Sequence, residues 1–367
     1  VPGEEIKMVK RPVCLRDGVT LFRGEISRHL LLRPMVSNAY LLENEDHAIL
    51  FDPSCGKRIA RRIDTYIRSR QQAGARWSRA HIVAGHSHMD HAGNLSLAGV
   101  FRADESHVVV HERGFTNDQV RNMPRSVIER ELGESRDYYN IYLSLAFPYR
   151  LFMLPLAAVD VISRRLALKA FAAMAALPWP RPASESIQPE PLRENALQTP
   201  MIGGERLKAW PLGDVFILPT PGHSPCSVSL VWPERGILLV SDADWLGNPV
   251  FVSSSLSDSI SSLQALRSLT ESAGIDLLCP AHGEPKKGTR EILAHFDFRI
   301  RRLEVIRDEI LSAFEASGGD RDIRRLTRQL IATSPFFKAM RLLDYPNLVS
   351  MVHNIVTVCL REEGILR

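Results

Sequence analysis

Residues 85–94 read Gly-His-Ser-His-Met-Asp-His-Ala-Gly-Asn, which puts His86, His88, Asp90 and His91 within six positions. The preceding His81-Ile82-Val83-Ala84 has the character of a buried strand, so the histidine run is expected to be a loop that enters a helix. In an extended loop, residues two apart point to the same side, and His86 and His88 can close on one metal ion. Asp90 and His91 then turn with the helix start and face a second position. Four such side chains in one loop are costly to desolvate without a common ligand.

Working outward, short strands are predicted at Val19 to Ile26, Ala39 to Leu42 and Ala48 to Phe51, with a helix over Lys57 to Gln72 and a strand over Val108 to His111. This alternation predicts a layered α/β architecture. Further along, Val215 to Leu218 is a strand ending in Thr220-Pro221-Gly222-His223-Ser224. Strands over Val228 to Trp232 and Gly236 to Val240 flank the turn Pro233-Glu234-Arg235. A helix over Leu263 to Ser272 and a strand over Ile275 to Cys279 lead into Pro280-Ala281-His282-Gly283. From Thr289 on, the pattern is helical: to about Phe314, near Arg321 to Ala332, and near Asn347 to Glu363.

Three more donors therefore sit just past strand ends: His223, Asp242 and His282. Side chains from the ends of different strands can converge on one rim of a sandwich. Alone, a histidine after Pro-Gly reads as a turn residue and an aspartate after a strand as a helix cap. Together with the histidine loop they read as one metal centre.

The order HSHMDH, TPGHS, an aspartate after an apolar strand, then PAHG resembles the metallo-β-lactamase superfamily over about residues 19 to 290. The resemblance implies an αββα sandwich with the metal site at one edge of the two sheets. It also implies that His86, His88 and His223 hold a first metal, that Asp90, His91 and His282 hold a second, and that Asp242 bridges them. The combination is similar to the dinuclear hydrolase branch, with its glyoxalase II-like, lactonase-like and phosphodiesterase members, rather than to the antibiotic-degrading β-lactamases. Asp244 is a rival for the bridge; Asp242 is preferred because it comes first after the strand, in Ser241-Asp242. Cys226 stands where relatives often carry glycine and reads as a small buried hydrophobe. His295, Arg299, Arg301 and Arg302, with Val352-His353 and the Arg361-Glu362-Glu363-Gly364 run, resemble the winged-helix-like helical tail of some members.

Four segments are expected: residues 1–114 and 201–290 as the two halves of the sandwich, 115–200 as an apolar helical insertion, and 291–367 as a C-terminal helical subdomain. Tyr138 to Pro180 is apolar, and Pro182 to Pro191 reads as a linker. A spanning helix needs roughly 20 mostly apolar residues, and Arg150, Asp160, Arg164, Arg165 and Lys169 interrupt the stretch sooner. It is expected to be a lid over the active site, with a homodimer contact or peripheral membrane contact as alternatives.

A net charge of +4 spread over scattered arginines gives no nucleic-acid footprint. Hydrophobic content of 45% argues against disorder. Five widely spaced cysteines without a CxxC pair suggest reduced thiols and a cytoplasmic setting. The chain starts at Val1, so its natural start need not be included.

The expected activity is metal-dependent hydrolysis, of esterase, lactonase or thioesterase type. A hydroxide shared by two divalent ions would attack an ester, lactone or thioester with an apolar acyl group, and Asp90 is the catalytic candidate for proton transfer. Zinc suits the ligands best, and iron or manganese also fit. The alternatives are a phosphodiesterase acting on a nucleotide or phospholipid, a mononuclear iron dioxygenase, and a metal-binding regulatory protein.

Overall fold

The computed structural model describes residues 11–24, 36–114, 189–342 and 348–366, with isolated positions 163, 166 and 169. The apolar stretch from Tyr138 to Pro180, and the lid expected there, fall outside the described residues except at those three positions.

Two mixed sheets face each other. The first runs in the order β1 (Val13–Arg16), β2 (Val19–Phe22), β3 (Ala39–Glu43), β4 (His47–Phe51), β5 (Arg79–Val83), β6 (Glu105–His111) and β7 (Pro189–Leu192). It is antiparallel from β1 to β4 and parallel from β4 to β7. A short hairpin, β8 (Met201–Ile202) and β9 (Glu205–Arg206), precedes the second sheet. That sheet runs β10 (Trp210–Leu212), β11 (Val215–Pro219), β12 (Val228–Trp232), β13 (Ile237–Ser241), β14 (Leu277–Pro280) and β15 (Lys286–Lys287). Only its β13–β14 pair is parallel.

The period-two alternation of the strands sorts their side chains into layers. On β3 and β4, Ala39, Leu41, Ala48 and Leu50 point outward to α1 (Lys57–Gln72). That helix returns Ile59, Ile63 and Ile67, spaced one turn apart, as its buried stripe. The alternate residues Tyr40, Leu42, Ile49 and Phe51 point inward and meet Ile217, Leu230, Trp232 and Leu239 of the second sheet.

The outer face of the second sheet, including Leu218, Val231, Leu238 and Val240, is covered by α3 (Leu256–Ser272), α4 (Thr289–Ala316), α5 (Ile323–Thr333), α6 (Pro335–Leu342) and α7 (Leu348–Glu362). A one-turn helix, α2 (Met89–Ala92), caps the end of β5. Three apolar interfaces thus separate four layers, helix–sheet–sheet–helix, as the sequence led one to expect.

Several boundaries differ from the sequence reading. The proline-rich run read as the end of a linker is β7, the edge strand beside β6, for Pro189, Glu190, Pro191 and Leu192 all pair there. An edge strand tolerates prolines because one side of its backbone has no ladder to complete. Helix α3 starts at Leu256, seven residues earlier than predicted, where Ser255 caps it by accepting the Asp258 amide at 3.0 Å. The C-terminal helices share a continuous core with the second sheet, so that Phe296, Ile306, Val352 and Leu360 pack into the same cluster as Leu238 and Val240. Among the described residues, no helix is long and apolar enough to cross a membrane. The five cysteines form no disulfide.

Candidate metal centre

The seven residues singled out in the sequence come together at the C-terminal ends of β5, β11, β13 and β14. His86, His88, Asp90 and His91 lie on the loop after β5 and on α2; His223 follows β11, Asp242 follows β13 and His282 follows β14. Three overlapping trios hold their donor atoms within 4.8 Å of one another: His86, His88 and His223; His86, His91 and Asp242; and Asp90, His91 and His282.

In the first trio, His88 Nδ1 lies 2.9 Å from both His86 Nε2 and His223 Nε2. Nitrogens at about 2.0–2.1 Å from a tetrahedral zinc would stand about 3.3 Å apart, close to this spacing. Asp242 sits between the trios. Its Oδ2 is 3.4 Å from His91 Nε2, 3.5 Å from His223 Nε2 and 4.0 Å from His86 Nε2, while Oδ1 is 3.4 Å from His282 Nε2. Asp90 Oδ2 is 3.2 Å from His282 Nε2 and 3.5 Å from His91 Nε2. His91 Nε2 and Asp242 Oδ1 are buried without a hydrogen-bond partner. Buried polar atoms are normally satisfied, so orphans at the centre of a donor cluster fit a cation.

The outward nitrogens are held by residues that sequence reasoning did not assign to the site. His223 Nδ1 pairs with Asn248 Oδ1 at 2.6 Å, and Asn248 in turn donates to the Asp242 carbonyl at 2.8 Å and the Ala243 carbonyl at 3.3 Å. His91 Nδ1 lies 3.0 Å from Asp52 Oδ2 and 3.3 Å from Ser241 Oγ. His86 Nδ1 lies 3.2 Å from the same Ser241 hydroxyl. Partners of this kind fix the tautomer and aim the opposite nitrogen inward.

Asp52 and Ser241 both adopt left-handed backbone conformations, with φ of 48°. Such conformations are uncommon for residues other than glycine and concentrate at functional sites. Gly85 separates the two. A Cβ there would come within 2.3 Å of Ser241 Oγ and 2.6 Å of Asp52 Oδ1, so only glycine fits.

Other contacts set the loops. The Asn38 side chain donates to the Pro280 and Gly283 carbonyls at 3.1 and 2.9 Å, and Tyr40 Oη donates to the Pro280 carbonyl at 2.7 Å, clamping the turn that carries His282. Ser254 Oγ donates to the His223 carbonyl at 2.7 Å. Cys226 is buried, with its thiol beside Ser87 and Ser224, and belongs to none of the donor trios. Asp244 turns away from the cluster and pairs with His295 Nε2 of α4 at 2.7 Å.

Electrostatics divides the imidazoles into two groups. Burial, then neighbouring histidines, pushes His86 and His88 well below the usual histidine value, and burial lowers His223. These three are therefore neutral, the form that binds metal. Burial opposes charge on His91 and His282 as well, but Asp90 and Asp242 outweigh it and raise both. Those histidines in turn overcome the burial penalty on Asp90 and Asp242 and hold both carboxyls below the ordinary range. Without metal, protons on His91 and His282 thus stand in for part of the positive charge that the two carboxylates require.

The loop after β13 adds an aromatic wall. Trp245 stacks edge-on to His223 at 5.6 Å and lies 6.3 Å from His282, while Phe251 lies 4.3 Å from His88 and 5.4 Å from His223. Leu246 beside them is exposed.

The family model of the metallo-beta-lactamase superfamily matches residues 32–140, the segment that contains the histidine loop. The match covers 109 of the 367 residues of this chain. Its fold is similar to that of a beta-lactamase domain protein from Burkholderia ambifaria, with a TM-score of 0.55 and 15% identity over 99% of this chain and 91% of that one. It is likewise similar to a metallo-beta-lactamase family protein from Thermus thermophilus, with a TM-score of 0.52 and 19% identity over 96% and 95% of the two chains. No curated protein matches the chain. At these identities the likeness establishes the metallo-β-lactamase fold.

Proposed function

We propose that the chain is a metal-dependent hydrolase that cleaves an ester, lactone or thioester bearing an apolar acyl group. The observation that carries this reading is the convergence of seven donor residues from four strand ends, with orphaned donor atoms at the middle. His86, His88 and His223 would hold one divalent ion, Asp90, His91 and His282 a second, and Asp242 would lie between them. Zinc suits this imidazole and carboxylate set, and iron or manganese are compatible with it. When bound, such a pair supplies Lewis acidity toward a carbonyl oxygen and brings the pKa of water down to near neutral.

The protein's own contribution is orientation, dryness and proton handling. Asn248, Ser241 and Asp52 keep the ligand imidazoles aimed at the centre. Asp90 is one of the two more exposed members of the cluster, with 21% of its side chain accessible, against 11% for His282 and 6% for Asp242. As a carboxylate within reach of the centre, it would take a proton from the attacking water and hand that proton to the leaving group. Trp245 and Phe251 offer flat apolar surface directly beside His88, His223 and His282, which favours an acyl chain there.

The test is a comparison of initial rates of zinc- or manganese-loaded protein on an acyl thioester, a lactone and an activated phosphodiester. The expected result is preference for a carbonyl substrate and a loss of about a thousandfold or more in Asp242→Ala. Preference for the phosphodiester would overturn the substrate assignment, and full activity in Asp242→Ala would overturn the metal assignment.

A further inference from the structure

Between β13 and α3 the chain runs from Asp242 to Ser255 outside the sheets and helices. Four of its side chains meet the metal centre: Asp242 itself, Trp245, Asn248 and Phe251. A buried segment with no ladder or helix of its own must find partners for its backbone groups elsewhere. The C-terminal helices supply several of them.

Helix α7 meets this segment with one face. Asn354, Arg361 and Glu362 stand at i, i+7 and i+8, hence on one side of the helix, over about 12 Å. The Asn354 side chain donates to the Val250 carbonyl at 2.8 Å, and Arg361 Nη2 donates to the Val252 carbonyl at 3.0 Å, so that both backbone neighbours of Phe251 are held. Glu362 accepts the Leu256 and Ser257 amides at 2.8 and 3.0 Å, two of the amides that the first turn of α3 leaves free.

The same stretch grips the turn that carries His223. Ser254 Oγ donates to the His223 carbonyl at 2.7 Å, the Ser255 amide to the Gly222 carbonyl at 2.8 Å, and Ser262 Oγ of α3 to the Pro221 carbonyl at 2.7 Å. Three consecutive carbonyls are thereby fixed from one side. A Cβ on Gly222 would come within 2.5 Å of the Ser259 backbone, so the turn lies directly on α3 with no room to shift alone. Phe251, between the two carbonyls that α7 holds, rests 4.3 Å from His88 and 5.4 Å from His223. Displacing residues 250–257 therefore displaces the His223 turn and the Phe251 ring together.

We propose that Asn354, Arg361 and Glu362 are positioning residues for the first metal trio: by holding residues 250–257, α7 sets where His223 presents its Nε2 to His86 and His88. They act through the backbone of that segment rather than through a donor atom. The proposal rests on the metal assignment made above and is independent of the substrate.

Two measurements test it in the full chain, on wild type, Asn354→Ala/Glu362→Ala, Glu362→Ala and Glu362→Gln. Arg307→Gln is the control, because it breaks an ion pair to Glu363 next to this face of α7 without touching the segment. First, amide hydrogen exchange of the metal-free proteins is followed by mass spectrometry over residues 220–227 and 250–257. Exchange should quicken several-fold in both stretches of the double variant and in neither stretch of the control. Second, cobalt is titrated into each protein against a competing chelator while its visible absorption is recorded. In the double variant the absorption bands should shift, and affinity for the first ion should fall by about threefold to tenfold, less than for loss of a group that touches a ligand imidazole directly. Glu362→Gln keeps one acceptor oxygen and should lie closer to wild type than Glu362→Ala.

Faster exchange in 250–257 alone, with the cobalt spectrum and affinity of wild type, would overturn the proposal, since α7 would then brace only the surface of the loop. Equal changes in Arg307→Gln would overturn it as well, by tracing the effect to overall stability. If wild type took up no cobalt, the metal assignment would fall, and the exchange over 220–227 would still decide whether α7 sets the His223 turn.

Discussion

The first sheet carries histidine clusters at both ends of its parallel strands, and the two are built differently. At the N-terminal ends, His47 of β4, His81 of β5 and His107 of β6 stand side by side. His47 Nε2 and His81 Nδ1 are 2.6 Å apart, the His81 and His107 rings stack at 5.3 Å, and His107 Nδ1 pairs with Glu190 at 2.7 Å. At the C-terminal ends, His86, His88 and His91 converge with His223, His282, Asp90 and Asp242. In the first cluster one ring donates to the next and the carboxylate lies at the rim, with His47 Nδ1 on its outer side the one ring nitrogen of the cluster that is buried without a partner among the described residues. The second has carboxylates in the middle and leaves inward-facing donor atoms unpaired. What distinguishes a candidate metal site is therefore convergence of donors around interior negative charge, with second partners fixing the outward nitrogens. A count of histidines does not make that distinction.

The largest effect that would sharpen this contrast is expected from Asp242→Ala, which removes the carboxylate shared by the trios. Zinc retained after dialysis should fall, measured by atomic emission, together with the activity. Gly85→Ala should come next. Its methyl would force Ser241 and Asp52 apart, at a cost of about 1–3 kcal/mol in stability and with weakened metal binding. Asn248→Ala is milder: it frees the His223 ring without touching a donor atom, and metal affinity should drop about tenfold to a hundredfold, as read by chelator competition. If Asn248→Ala bound zinc like wild type, the orienting role given to the outer partners would be wrong.

How much of this could be read beforehand depended on whether the signal was local. The stripe of Ile59, Ile63 and Ile67 fixes α1 from one segment alone, and its bounds match the sequence reading. All seven converging residues were legible because histidine and aspartate are chemically distinctive and each follows an apolar strand. Asp52, Ser241 and Asn248 were not, since each acts on a histidine far away in the chain and looks locally like an ordinary turn or strand-end residue. Strand β7 was hidden by Pro189 and Pro191, which suppress a strand reading unless its edge position is known. His295, Arg299 and Arg302 of α4 were visible as residue types, whereas the packing of the buried Arg302 guanidinium against Phe336 follows only from the fold.

The smallest expected effect lies at the cluster of His47, His81 and His107, and it is an effect on stability alone. Burial, then the neighbouring His47 and His107, holds His81 down at about 3, and burial also lowers His47. A histidine depressed in the folded state takes up protons more readily when the chain unfolds. The stability it contributes is complete above 6.5, the ordinary value, and is lost progressively as pH falls toward about 3. His81→Gln should remove most of that dependence, so that urea denaturation of the metal-free variant loses less stability across this window than the wild type does. Zinc content at neutral pH should not change, because no donor of the metal centre touches His81. Identical pH profiles for the two proteins would mean that His81 titrates as if in water, whereas a fall in zinc content would mean that the two ends of the sheet are not independent.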